Sequence, residues 1–448
     1  MPPPAERAQA ARRARTTPSA QRTKASHIPG RADRRRRGPR PTEPAHDARL
    51  MAVTLPLEGV VVVDLTQNVA GPFCTQILGD MGADVIKVER PRQGDDSRAW
   101  APPFWGSESS TFMAVNRNKR SLALDLKHDG AVEVLKRLIA RGDVFVQSLR
   151  AGVVDKLGLD FPRAREVNPR LVYCSITAFG TRGPLAGQPG YDALMQAYGG
   201  IMSVNGHPGQ EPARAGVSIV DMGTGMWAAL GIVAALRERQ ATGRAVEVTT
   251  ALFETALMWM SYHAMAYFGT GEVPQPTGSA TAMIAPYQAF PTADGYIMIG
   301  AASDALFTRL TTALGAPEMA RDPRFTDNPS RVRQRPALVE ALSALTRTHK
   351  SGELVERLRE AGVPSTPILS LDAVMEEPQT KASGMLVTAP HPRLPDYRSI
   401  GLPILWDGER PEVRRVPPAL GEHTTDVLTW LGYTLDDVRS LRSRGVAG

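Results

Sequence analysis

A βαβ pattern near residue 60 is the feature that most constrains the fold of this chain. Residues 60–65 form a nearly continuous apolar, β-branched run, which is typical of a strand buried on both faces of a parallel sheet. Pro72 then suits the first turn of a helix, and residues 84–89 form the next strand. Because a βαβ unit joins parallel strands, the pattern predicts a doubly wound, Rossmann-like α/β domain.

The alternation of strands and helices continues along the chain. We predict strands at 121–126, 144–146, 171–176 and 245–250, helices at 130–141 and 224–240, and another helix from about residue 252. Gly, Pro, Ser and Thr dominate residues 269–285, which indicates a boundary. Beyond the boundary, a strand at 296–299 and helices at 303–314, 336–348 and 352–361 predict a smaller α+β domain. From residue 369 the chain is Pro-rich and predicted to be irregular until a helix at 424–431.

The net charge of +7 belongs to the N-terminal segment. Residues 1–50 contain 13 Lys or Arg and 4 Asp or Glu, which leaves 40 basic and 42 acidic residues for the rest. Arginine runs among Pro, Ala and Thr predict a disordered extension, and a nucleic-acid-binding arm or a targeting peptide is the alternative. An arm of that kind would bind with a strong dependence on salt. The body has no basic stripe, so we expect neither nucleic acid nor membrane as a partner.

Cysteine and histidine usage bounds the compartment and the metal content. Two cysteines, Cys74 and Cys174, do not make a disulfide framework and indicate a reducing, cytoplasmic setting. The sequence has no CxxC or HExxH pattern and no clustered histidines, so we expect no metal. No uninterrupted apolar run approaches the ~18 residues that a membrane span needs.

Two acids, Asp192 and Asp221, lie in Gly-rich, mostly apolar surroundings ahead of predicted helices. Helix N-capping is a common role for Asp. The alternative is a carboxylate held where helix N-termini converge, which suits anionic intermediates. The local sequence leaves both interpretations open.

Several loop cations are candidates for binding a polyanion. Glu89 and Arg90 end the second strand, where a nucleotide's ribose or phosphates lie in a doubly wound fold, although the GxGxxG fingerprint is absent. A solvated ion pair is the simpler interpretation. The basic residues within 116–120, with Lys127 and Lys156, could bind the diphosphate of coenzyme A or could be ordinary surface charge.

A set of ordered motifs resembles the class III CoA-transferases, which include formyl-CoA transferase, carnitine CoA-transferase and α-methylacyl-CoA racemase. The matching blocks lie at 57–65, 70–72, 78–90, 118–127, 168–173, 180–184, 189–192 and 421–424. The block at 78–90 reads LGDMGADVIKVER, and the block at 189–192 reads PGYD. The resemblance covers about residues 55–448, and several blocks in order are far more specific than any single one.

The resemblance implies that Asp221 is the catalytic nucleophile. Its carboxylate would attack an acyl-CoA thioester and later carry CoA as an aspartyl-CoA thioester, so no permanently bound cofactor is needed. Acyl-CoA and small carboxylic acids are the implied substrates, with succinyl-CoA or another dicarboxylic donor favoured. The residues that the resemblance assigns to CoA contact are Val69, Ala70, Arg90, Leu124, Asp125, Lys127, Ser148, Leu149, Lys156 and, near the thioester, Asp192.

Departures from the family pattern narrow the reaction. Ser148 and Leu149 stand where formyl-CoA transferase has Asn-Phe, Val69 replaces a glutamine, and residues 277–282 lack the Gly-rich substrate loop, so formyl or oxalyl specificity is not expected. The racemase branch, which exchanges an α-proton with a His–Asp pair, is the closest alternative. Tyr191 stands where that histidine belongs. A phenol has a pKa of ~10 and an imidazole a pKa of ~6.5, so a tyrosine is a poor substitute for a histidine that exchanges protons. This substitution favours CoA transfer.

The resemblance also implies an organisation in four parts. We expect a disordered basic extension at 1–54, the first part of a large CoA-binding α/β domain at 55–275, a small α+β domain at 276–370, and a C-terminal part at 371–448 that completes the large domain. The implied assembly is a homodimer of two interlocked chains.

Overall fold

The computed structural model describes residues 55–448. The predicted basic extension at 1–54, and with it the alternative of nucleic-acid binding through residues 1–50, lies outside the described residues. The strands are β1 (Val61–Leu65), β2 (Asp84–Glu89), β3 (Phe104–Trp105), β4 (Glu108–Ser109), β5 (Lys119–Ala123), β6 (Val144–Gln147), β7 (Val172–Thr177), β8 (Val246–Ala251), β9 (Tyr287–Pro291), β10 (Tyr296–Gly300), β11 (Ser365–Pro367), β12 (Leu386–Thr388) and β13 (Arg398–Ile400). The helices are α1 (Ala70–Asp80), α2 (Ser110–Val115), α3 (Asp129–Arg141), α4 (Val153–Lys156), α5 (Phe161–Val167), α6 (Asp192–Tyr198), α7 (Ile201–Val204), α8 (Ile219–Thr242), α9 (Leu252–Trp259), α10 (Ser261–Thr270), α11 (Asp304–Ala313), α12 (Asn328–Arg333), α13 (Arg335–Thr346), α14 (Ser351–Glu360), α15 (Leu371–Glu376), α16 (Pro378–Ala382), α17 (Thr424–Trp430) and α18 (Leu435–Ser443).

Six strands form one parallel sheet in the order β5-β2-β1-β6-β7-β8. The chain moves outward from β1 through β2 to β5, returns to the other side of β1 at β6, and continues to β8. The crevice between the loops that follow β1 and β6 is therefore the topological switch point, where ligands bind in sheets of this kind. The predicted α/β fold with a parallel central sheet is confirmed.

Helices cover both faces of this sheet, which explains why its strands are continuous apolar runs. On one face, Val62 and Val85 pack with residues of α1 and α8. On the other face, Val63 and Ile86 pack with residues of α3, α5, α17 and α18. The C-terminal helices α17 and α18 thus complete the second face of the sheet.

Helix α8 begins earlier than predicted, at Ile219, so Gly223, which we expected to precede the helix, lies inside it together with Gly225. A Cβ atom on Gly223 would lie 2.6 Å from the ring of Trp259, and one on Gly225 would lie 2.6 Å from the carbonyl oxygen of Ala70. Only glycine allows such close packing. By length and composition, α8 alone among the described helices could cross a membrane, but half of its most apolar window is buried in the protein.

A three-stranded antiparallel sheet, β11-β10-β9, forms a second core with α11, α13 and α14. It lies within the predicted α+β region, while the bounds of the four predicted parts stay predictions. The segment after residue 369 is less irregular than expected, since it contains α15, α16 and the β12–β13 hairpin. Strands of three residues are too short to give a period-two signal.

Candidate active site

The loop after β1 lies at the topological switch point of the large sheet. The backbone N–H of Gln67 donates to Oγ of Ser148 at 3.1 Å, so the loops after β1 and β6 are in contact. Val69 is the N-cap of α1 and Ala70 its first residue, and both are buried. No side chain caps this helix N-terminus. Three of the predicted CoA-binding residues, Val69, Ala70 and Ser148, therefore lie together.

Asp221 lies in the first turn of α8, beside the start of α1. The N-cap of α8 is Ser218, so the interpretation of Asp221 as a helix N-cap is wrong. Asp221 precedes Gly225 by one helical turn, and residues four apart lie on the same face of a helix. Because Gly225 contacts the Ala70 carbonyl, that face of α8 is the one that touches α1. The side chain of Asp221 is half-buried.

Asp192 holds the first turn of α8 with its carboxylate. Its Oδ1 accepts hydrogen bonds from the backbone N–H groups of Val220, at 2.8 Å, and Asp221, at 3.1 Å. Its Oδ2 accepts a hydrogen bond from Nε2 of Gln196 at 2.6 Å, and Oε1 of Gln196 accepts one from the N–H of Ala215 at 2.8 Å. Asp192 therefore caps a helix, as one interpretation held, but the helix is α8 and not its own.

The pKa of Asp221 is raised from 3.8 to about 7, first by burial and second by the negative charge of Asp192. The unfolded chain has the ordinary value, so the folded protein binds the additional proton between these two values. The stabilising contribution of the protonated group is complete below pH 3.8 and is lost as the pH rises through about 7. At neutral pH the ionised form is poorly solvated, which makes it a stronger base and nucleophile than an exposed carboxylate.

Three predicted CoA-binding cations are exposed at the carboxyl edge of the sheet. Arg90 follows β2, donates to the carbonyl oxygen of Gly94 at 3.2 Å and pairs with Asp96. Lys127 follows β5, and Lys156 ends α4 after β6. Loops after strand carboxyl ends are the nucleotide-binding positions of this fold. A phosphate at Arg90 would compete with Asp96.

The side chains of Leu124 and Leu149 point into the protein core and not toward the surface. Leu124 is buried in the core, and its backbone pairs with Ala447. Leu149 is half-buried against the same core. The N–H of Asp125 donates to the carbonyl oxygen of Val446 at 3.0 Å, and its carboxylate accepts the N–H of Lys127 at 3.1 Å. Because Leu124 is 1% exposed, its side chain does not reach a ligand at the surface.

Glu89 is a buried residue, so the interpretation of a solvated Glu89–Arg90 pair is wrong. Arg98 donates to both oxygens of the Glu89 carboxylate, at 2.7 and 2.8 Å, and Oγ of Ser121 donates at 2.7 Å. These partners lower the pKa of Glu89 in spite of its burial. Because every oxygen of this carboxylate is engaged inside the protein, Glu89 has no acceptor left for a ribose hydroxyl.

The basic cluster at 116–120 is largely internal, which corrects both interpretations of it. Arg117 is buried and donates to both oxygens of Asp80. Lys119 is fully buried against Asp64. The sequence suggested loop cations because residues 116–120 are polar or basic and precede a predicted strand. The acids that neutralise them are distant in sequence.

The described residues, 55–448, contain no cluster of three or more His, Cys, Asp or Glu side chains that could hold a metal ion. Cys74 and Cys174 are both free and buried, and burial raises the pKa of each thiol. Among the described residues, the candidate active site therefore contains neither a metal-ligand cluster nor an exposed thiol.

The sequence model of CoA-transferase family III matches residues 57–424. The chain belongs to this family. It is 37% identical over 392 residues to the succinyl-CoA:glutarate CoA-transferase of Homo sapiens, covering 87% of this chain and 90% of that protein. It is 36% identical over 369 residues to the acetyl-CoA:oxalate CoA-transferase of Acetobacter aceti, with 82% and 93% coverage. A crystal structure of a CaiB/BaiF family protein from Brucella suis has a TM-score of 0.77 and 38% identity, covering 84% of this chain and 100% of that one.

These findings confirm the predicted family and identify this CoA-transferase family III member as an enzyme that transfers CoA to carboxylates. Sequence reasoning missed one buried residue beside Asp192, Gln196, which bridges Asp192 to the loop before α8. The signal was present, since Gln196 follows Asp192 by four residues on a predicted helix.

Proposed function

We propose that this family III enzyme transfers CoA through a covalent aspartyl-CoA thioester on Asp221. The Asp221 carboxylate attacks the donor's thioester carbonyl and expels CoA thiolate, giving a mixed anhydride. The thiolate then attacks the Asp221 acyl carbon and releases the donor acid. The acceptor carboxylate attacks this thioester, and the freed thiolate attacks the acceptor's acyl carbon, which gives the new acyl-CoA and restores Asp221. Acyl-CoA is a substrate, and no permanently bound cofactor takes part.

The observation that carries the proposal is the placement of Asp221, half-buried, in the first turn of α8 and beside the uncapped N-terminus of α1. Helix N-termini stabilise negative charge, so the uncapped N-terminus of α1 suits the oxyanions that form in each step. Asp192 fixes the backbone of Asp221, and the raised pKa increases the nucleophilicity of the carboxylate. Arg90, Lys127 and Lys156 would bind the CoA phosphates.

The donor is proposed to be succinyl-CoA or another dicarboxylic acyl-CoA. The relative named succinyl-CoA:glutarate CoA-transferase supports this class of donor. Purified protein is incubated with a panel of acyl-CoA donors and free acids, and new acyl-CoA is measured by chromatography. We expect new acyl-CoA to form when both the donor acid and the acceptor acid are dicarboxylic. The racemase alternative predicts instead that deuterium from D₂O enters the α-carbon of a 2-methylacyl-CoA without any acceptor acid. Rapid deuterium entry with no CoA transfer would establish that alternative.

We also propose that the enzyme is a homodimer, as the family resemblance implies for interlocked chains. Helix α10 has no buried residue, although it carries no charged side chain. It lies among exposed large apolar residues of α8, α9 and α10, namely Met226, Leu230, Leu257, Met258, Tyr262, Met265 and Phe268. An apolar surface of this extent marks a protein interface, and a second copy is the proposed occupant.

The free, buried cysteines support a cytoplasmic location.

Light scattering tests the assembly. Wild type is expected to have the mass of two chains, and the double variant Met265→Glu, Phe268→Glu the mass of one, because two buried carboxylates are costly in an apolar interface. Leu435→Glu is the control, since Leu435 is exposed on α18, on the other face of the large sheet. A monomeric wild type at micromolar concentration would contradict the proposal.

A further inference from the structure

Four charged side chains are buried together beneath the carboxyl end of β1. Asp64, Lys87, Asp95 and Lys119, called the clamp below, are each 1% exposed or less. Nζ of Lys87 lies 2.8 Å from Asp95, and Nζ of Lys119 lies 3.1 Å from Asp64. Two cations and two anions balance in charge. Buried ion pairs are often replaceable by apolar residues, so their presence here requires a further reason.

Both lysines of the clamp also bind the main chain of residues 66–72, which comprise the loop after β1 and the first turn of α1 and are called the β1–α1 connection below. Lys87 donates to the carbonyl oxygen of Thr66 at 3.0 Å. Lys119 donates to the carbonyl oxygen of Pro72 at 2.8 Å. The two cations therefore hold the two ends of this connection. Its position depends on charges that the apolar core could not supply.

The carboxylates of the clamp bind N–H groups of the same connection. Asp64 accepts the N–H of Thr66 at 3.0 Å, and Asp95 accepts the N–H of Asn68 at 3.0 Å. Asn68 has a φ of 70°, a left-handed conformation that non-glycine residues rarely adopt. The bond to Asp95 stabilises it. Together with the Gln67–Ser148 bond, these contacts engage the N–H groups of three successive loop residues, 66–68.

The β1–α1 connection is in contact with α8, the helix that carries the proposed nucleophile. Gly225 of α8 packs on the carbonyl oxygen of Ala70, one helical turn from Asp221. A shift of the connection would therefore move the start of α1 relative to Asp221. Misplacement by about 1 Å can lower a rate by about 10²-fold.

We propose that Asp64, Lys87, Asp95 and Lys119 are positioning residues for CoA transfer, which hold the β1–α1 connection against α8 so that the start of α1 faces Asp221. They act through the backbone of residues 66–72 and do not touch the substrate. The proposal rests on the function proposed above for Asp221. Its physical content is preorganisation of a loop by buried charges.

The test compares Lys119→Met and Asp95→Ala with two controls at the opposite edge of the sheet. There, Asp143 accepts the N–H of Val61 at 2.9 Å and pairs with Arg239, so this ion pair holds the other end of β1. Asp143→Ala and Arg239→Met thus remove an ion pair, here a partly exposed one, from the other end of the same strand. For each full-length variant, kcat, KM for the acyl-CoA, and amide exchange of residues 66–69 are measured at a temperature where circular dichroism shows it folded.

We expect the clamp variants to lose about 10²-fold in kcat, with a smaller change in KM and faster amide exchange at 66–69. The controls should keep kcat near wild type and should lose less thermal stability than the clamp variants, because their ion pair is partly exposed. If a clamp variant does not fold, Asp95→Asn, which retains an acceptor for the Asn68 N–H, replaces it. Equal losses of kcat in clamp and control variants, or unchanged exchange at 66–69, would overturn the proposal. An Asp221→Ala enzyme as active as wild type would refute the nucleophile instead, while the exchange data would still test the clamp.

Discussion

Asp221→Ala is expected to lower kcat for CoA transfer by about 10⁴-fold or more, because the covalent route loses its only nucleophile. KM for the acyl-CoA should change little, since the proposed phosphate contacts at Arg90, Lys127 and Lys156 remain. Initial rates of new acyl-CoA formation by chromatography measure the effect. The side chain is half-buried and accepts no hydrogen bond that holds another element of the described structure, so the variant should fold.

Asp221→Glu is the matched variant for this prediction. It retains a carboxylate but moves it outward by one methylene, so its activity should be low but above that of the alanine variant. Leu435→Glu, on the opposite side of the sheet, should transfer CoA at the wild-type rate. An Asp221→Ala enzyme within tenfold of wild type would be incompatible with a nucleophilic role.

Asp192→Asn is expected to move the pH dependence of the reaction to lower pH. The rate of wild type should rise as the pH increases through about 7, because only the ionised Asp221 is a nucleophile. Removing the charge of Asp192 lowers the pKa of Asp221, but not to 3.8, because burial is the larger cause and persists. The midpoint of kcat/KM against pH should therefore fall below that of wild type. Asparagine still offers an oxygen to the N–H groups of Val220 and Asp221, so the plateau rate at high pH should decline only modestly.

Asp192→Ala separates charge from geometry. It removes both hydrogen bonds to the first turn of α8, so the plateau rate should fall by about 10²-fold as well. In thermal unfolding, Asp192→Asn should destabilise the protein less at pH 8 than at pH 5, since it removes repulsion from Asp221, which is ionised only at the higher pH. A pH profile of Asp192→Asn that superposes on wild type would show that the two carboxylates do not interact.

The sheet was predictable because its signals are local. The apolar run at 60–65, Pro72 and the strand at 84–89 specify a βαβ unit within thirty residues, and the structure has all three. The position of Asp221 and Asp192 near helix starts was also readable. The helix that Asp192 caps could not be predicted, because Asp192 accepts the N–H of Val220 in α8, 28 residues further along the chain.

The errors share a physical cause, which is that charge partners and close packing are set by tertiary structure. Lys119 was indistinguishable from a surface lysine until Asp64, 55 residues earlier, was placed beside it. Gly223 was predicted to precede helix α8 because glycine weakens helices, yet contact with Trp259 of the neighbouring helix requires a glycine there. The family motifs located the nucleophile without any of this geometry.

The most direct measurement of the central claim is mass spectrometry of the enzyme after reaction with an acyl-CoA donor in the absence of acceptor. The account predicts an adduct with the mass of CoA minus water on the peptide that contains Asp221. We also expect hydroxylamine to release free CoA and leave a hydroxamate on the Asp221 side chain, and we expect Asp221→Ala to form no adduct. A wild-type enzyme that exchanges CoA while remaining unmodified, or an adduct on any other residue, would contradict it.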